Sequence, residues 1–120
     1  MYDPRQLEPM HRDNDGELVG YLGREHRAGA PVWIARALFG GELLAFGGRE
    51  PAARFLCERG LPLLAEKWWY RADDRSDARL TFLVEARLGA VTVRFGHDPD
   101  PANVAVLRGA ALARLSLHQA

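Results

Sequence analysis

The chain has 120 residues, and its 16 Lys plus Arg balance its 16 Asp plus Glu, so the formal net charge is zero. This length predicts one domain, and a composition that is 48% hydrophobic excludes a disordered chain. Neutrality removes the overall field that draws nucleic acid or an anionic membrane to a basic protein, and no apolar run approaches the roughly 18–20 residues that span a bilayer.

Residues 1–16 are polar and rich in turn formers (D-P-R, E-P-M, D-N-D-G). With few apolar side chains to fix them, they predict a loosely docked arm ahead of a single domain over 17–120. Glu17 to Arg24 reads as the first strand, and Glu25 to Pro31 as a loop broken by Gly29 and Pro31. Pro31–Phe39 and Glu42–Phe46 read as two strands joined at Gly40-Gly41, where two glycines can supply the positive φ values of a tight hairpin. A helix is predicted over 50–59. Pro51 suits its first turn, Gly60 suits a left-handed residue just past its end, and Leu61 can fold back on Leu56. Ala52, Ala53, Phe55, Leu56 and Cys57 form its apolar arc, opposite Glu50, Arg54 and Glu58.

From Gly60 to Gly96 the pattern is that of three successive strands. Leu80, Phe82, Val84, Ala86 and Leu88 alternate with Arg79, Thr81, Glu85 and Arg87, and only Leu83 breaks the polar face. Strict alternation implies an antiparallel sheet with one face on a core. The tail from Ala102 supports two readings. Val104, Leu107, Ala111 and Leu115 recur at helical spacing, whereas V-A-V-L is strand-like, and strand is the reading preferred. The whole predicts an α+β fold: a mostly antiparallel curled sheet of about six strands around Leu56, Phe82, Val84, Val93 and Phe95, with one helix on one face.

Chemistry-bearing residues are sparse. Cys57 is the only cysteine, so no intramolecular disulfide can form, and its place at the edge of the apolar arc reads as a small buried filler. His11, His26, His97 and His118 are scattered without metal-ligand spacing, and Ser76 and Ser116 lack a nucleophile motif. No metal, cofactor or catalytic group is therefore expected, and no secretory pattern opens the sequence, which makes the cytoplasm the expected location. Of the 16 basic residues only Lys67 is lysine. With abundant Ala, Gly and Leu, that bias reads as the imprint of a GC-rich genome.

The distinctive stretch is Glu66-Lys67-Trp68-Trp69-Tyr70-Arg71. On a strand, Trp68 and Tyr70 point one way while Trp69 points the other way with Lys67 and Arg71. Both faces of one strand cannot be equally buried in a small two-layer fold. Trp69, Arg71, Lys67 and Trp33 are therefore candidates for a protein interface, because Trp, Tyr and Arg combine large contact area with a polar handle. Two rival readings use neighbouring residues. Glu66, Trp68 and Tyr70 could line a small-molecule or catalytic pocket. Lys67, Trp69, Arg71, Arg79, Arg87 and Arg94 could form a stacking platform for single-stranded nucleic acid, against which stand the zero net charge and the interruptions at Thr81, Glu85 and Asp73-Asp74.

The segments G-E-L-V-G-Y-L, A-L-F-G and E-R-G-L-P-L-L-A-E-K-W-W-Y-R resemble a group of small uncharacterised proteins from high-GC actinobacteria, over about residues 16–96. The resemblance implies the order strands, helix, strands in one domain, and no catalytic residue or cofactor. The function expected from the residues is a non-enzymatic interaction domain, self-associating through the aromatic and Arg-bearing strand surface.

Overall fold

A computed structural model of the chain describes residues 7–117. The strands form two antiparallel sheets, one of four strands and one of five, in place of a single curled sheet of six. The first contains β1 (Glu8–His11), β2 (Leu18–Arg27), β3 (Ala30–Arg36) and β4 (Glu42–Phe46) in that order. A helix, α1 (Arg49–Arg59), follows and packs on this sheet. After a 3-10 turn at Pro62–Ala65, the second sheet is built from β5 (Trp68–Tyr70), β6 (Arg79–Arg87), β7 (Ala90–Phe95), β8 (Val104–Arg108) and β9 (Leu115–Ser116). Its strand order is β8-β7-β6-β5-β9. The sheet splits because α1 and the 3-10 turn carry the chain away from β4, and β5 finds its partners in β6 and β9.

Several local expectations change with it. Residues 8–11, predicted as part of a loose arm, pair with β2, and an Arg49–Glu8 ion pair ties them to α1. The start of that arm, residues 1–6, lies outside the described residues. β2 continues through the predicted loop to Arg27, and the chain reverses at Ala28 (φ 51°) and Gly29 (φ 77°). Positive φ at both central residues is the geometry of the tight hairpin turn that follows strand twist. The tight turn therefore sits here, while β3 and β4 are joined by a wider loop over 37–41 in which Phe39 leaves the hairpin and is fully buried. Gly41 is required there because a Cβ would stand 2.2 Å from the Phe39 ring. In the tail, both readings hold in part: 104–108 is a strand, 109–114 is 3-10 helix, and a two-residue strand follows.

Two cores result. Val19, Leu22, Ala35, Ala52, Ala53 and Leu56 fill the space between α1 and the first sheet, as the helix's apolar arc predicts. Phe39, Trp68, Val91, Val93, Leu107, Leu112 and Leu115 fill the inner face of the second sheet. Phe39 meets Trp68 edge to face at 5.5 Å, and the Trp68 indole N–H donates to the Leu63 carbonyl at 3.0 Å. Both polar and apolar parts of Trp68 are thereby satisfied.

The predicted inner face of β6 is the part most revised. Leu83 pairs with Val93 and Glu85 with Thr92, so Val84 is an extra residue in a β-bulge. A bulge shifts the alternation by one position. Thr81 and Leu83 therefore face the core, while Leu80 and Phe82 face away, and Val84 is 61% exposed. Of the predicted core residues, Leu56 and Val93 are fully buried, Phe95 lies half-buried against the inner cluster, and Phe82 and Val84 do not belong to it.

Candidate interaction surface

The second sheet has one face on its core and one face turned out. Trp69 pairs with Leu80, Phe82 with Arg94, Arg94 with Val104, and Thr92 with Val106. Because paired residues share a face, Trp69, Leu80, Phe82, Arg94, Val104 and Val106 lie together on the outer side. Val104 is 44% exposed and Val106 50%. The Arg94 guanidinium stands 5.3 Å from the Phe82 ring centre, and the His97 ring lies 5.2 Å from it on the same aromatic group. Arginine over an aromatic face is a weak attraction that keeps the cation extended along the surface. Next to this row is a shallow, open depression of about 200 Å³ lined by Glu85, Arg87, Ala90, Thr92 and Val106.

The four predicted interface residues do not form one patch. Trp69 is half-buried in β5 on the outer face, and Lys67, one position before that strand, is exposed. Arg71 is held at the rim: its guanidinium donates to the Ser76 carbonyl and its backbone N–H donates to the Arg114 carbonyl at 3.1 Å. The loop that carries Ser76 is itself fixed by Asp73, whose carboxylate accepts from the Ser76 hydroxyl and from the N–H groups of Arg75 and Ser76. Those hydrogen bonds, the Ser76 hydroxyl first, hold the Asp73 carboxyl below its usual range. Trp33 belongs to the other sheet, where it packs against the α1 core with the Arg24 guanidinium 5.5 Å from its ring.

The residues of the two rival readings are also dispersed. Glu66 is exposed at the end of the 3-10 turn, Trp68 is sealed in the core, and Tyr70 packs on Phe95 at 5.7 Å. The arginines of the nucleic-acid reading divide between faces: Arg79 sits over Phe95 at 4.1 Å on the Tyr70 side, while Arg94 lies on the Phe82 side. Among the described residues no group of three or more His, Cys, Asp and Glu side chains could hold a metal ion, and no helix is long and apolar enough to cross a membrane. Cys57 is half-buried against the α1 core. His118 lies outside the described residues.

Sequence reasoning missed Leu80, Phe82, Val104 and Val106 as surface residues. For Leu80 and Phe82 the signal was present in Phe82-Leu83-Val84, three consecutive apolar residues where alternation demands a polar one, which is how a bulge enters a strand. Comparisons with protein-family models, with curated proteins and with solved structures return no match.

Proposed function

We propose that this protein is a non-enzymatic interaction module that associates with copies of itself by packing the outer face of the second sheet against the same face of another chain. The observation that carries the reading is the row Trp69, Leu80, Phe82, Val104 and Val106 on a sheet face turned away from its core. A second copy is the occupant because a two-fold axis can set the exposed apolar row against itself and lets Glu85 of each copy meet one of the arginines, Arg87, Arg94 or Arg108, that share the face. A chain of zero net charge also meets no long-range repulsion from its own copies.

Sedimentation across a concentration series tests this. Trp69→Arg is expected to weaken association by about tenfold or more, as removal of a hot-spot aromatic does, with the far-UV CD spectrum retained. A wild-type chain that stays monomeric up to about millimolar concentration, where even weak specific contacts register, sinks the reading.

A further inference from the structure

A sheet edge presents unpaired N–H and C=O groups that can template another strand, and proteins that stay apart blunt such edges with Pro, charge, bulges or brevity. Among the described residues, three of the four sheet edges carry these devices. β1 contains Pro9 and an irregular register at Met10-His11. β4 begins with Glu42 and is bulged at Leu43, which turns into both cores. β9 has only two residues. β8 carries none of them: V-A-V-L-R runs in unbroken register with β7 from Val104 to Arg108, and its one charge is at the end.

We infer that β8 pairs antiparallel with β8 of a second copy, about a two-fold axis through Val106. The inference rests on the self-association proposed above and adds the edge through which it occurs. Charge fixes the direction. Exposed Asp98 and Asp100 precede β8 and exposed Arg108 ends it, with no carboxylate partner for Arg108 among the described residues. Antiparallel pairing brings Arg108 of each copy to the acidic turn of the other, whereas parallel pairing sets like charges side by side. Val106 then stands opposite its own counterpart, and Val104 opposite Arg108.

Size points the same way. The face is small, with five strands of which β5 has three residues and β9 two. Edge pairing joins two such faces into one continuous side of ten strands. Its axis is normal to the sheet, and face packing about an axis that runs across the strands and meets the first one closes the two contacts as a tetramer with three perpendicular two-folds.

The test is the mass in solution of the full chain. Wild type is expected at four copies and Arg108→Glu, which ends β8 outside the apolar row, at two, because it would set a carboxylate against the acidic turn of the other copy. Thermal melting checks that Arg108→Glu folds; if it does not, Arg108→Gln, which removes the attraction alone, is expected to shift the balance from four copies towards two. Arg108→Glu remaining at four copies overturns the edge. A wild-type dimer abolished by Trp69→Arg and indifferent to Arg108→Glu overturns the edge and leaves face packing. A dimer with the reverse sensitivities supports the edge and removes face packing. A monomer overturns both.

Discussion

Gly60 lies where the end of α1 meets the backbone of β2. Its conformation is right-handed helical (φ −56°, ψ −49°), so its glycine is not there to supply the left-handed turn that the sequence suggested. The reason is proximity: a Cβ would stand 2.3 Å from the Val19 carbonyl oxygen and 2.7 Å from that of Leu56. Val19 is the extra residue of the bulge opposite Met10-His11, which pushes its carbonyl towards the helix. Both neighbours are backbone and cannot rotate away. Gly60→Ala is therefore expected to lower unfolding free energy by about 1–3 kcal/mol, the range for forced overpacking, measured by urea denaturation. Glycine was recognisable from the sequence as a helix stop; why it must be glycine depends on a strand some forty positions earlier.

Within the first sheet, the charged side chains work across strands. The Arg27 guanidinium donates two hydrogen bonds to the Glu42 carboxylate, at 2.6 and 3.0 Å, linking the end of β2 to the start of β4. Beside it, Arg36 is buried and donates to Glu25 at 2.9 Å and to the Gly40 carbonyl at 2.9 Å, which braces the 37–41 loop from below. Arg27 holds the Glu42 carboxyl below its ordinary value, and Glu42 in turn raises the pKa of Arg27. A carboxyl depressed in the folded state binds its proton more readily when unfolded. The stabilisation is therefore complete above the unfolded carboxylate value and is lost as pH falls through the folded one. Glu42→Gln is expected to cost about 0.2–1 kcal/mol at neutral pH, the range for a half-exposed ion pair. In melts run from pH 7 to pH 2, the difference from wild type should vanish at the acid end. Element types were mostly legible in the sequence, because hairpin strands and an amphipathic helix carry their own periodicities. Register was not. One inserted residue at Val84 reverses which side of the preceding half of β6 is buried, and that reversal moved Phe82 from the predicted core to the candidate surface.

At the scale of the molecule, Phe39 is the side chain through which the two halves share a core. It comes from the loop between β3 and β4, yet packs on Trp68 of the second sheet, and its carbonyl accepts from the Gly89 N–H at the β6–β7 turn at 2.9 Å. Ala37 joins it in the same cluster, and Leu43 touches both cores. Phe39→Ala is expected to cost about 3–5 kcal/mol. Because α1 and the first sheet retain their own core, the loss should fall on the second half. Indole fluorescence, to which Trp68 and Trp69 contribute from the second sheet, should then change at lower denaturant than far-UV ellipticity, where wild type gives coincident transitions. From the sequence Trp68 reads as a candidate pocket residue, and its partner is hidden, since a buried phenylalanine beside two glycines resembles any hairpin turn. The candidate surface was legible to the extent of Trp69. Its other members depend on register and on which strand is left at the edge.

The position of β5 carries a consequence for how the protein is made. The first sheet and α1 are complete in sequence before β5 begins, so that half can fold as it leaves the ribosome. β5 acquires β6 soon afterwards, but its other neighbour is β9, almost the full length of the second half away. Until Leu115 and Ser116 have been synthesised, the nascent chain exposes the Tyr70 edge and the lining of an unfinished core. The second half is thus the last part of the molecule to close, and the Tyr70 edge stays open longest.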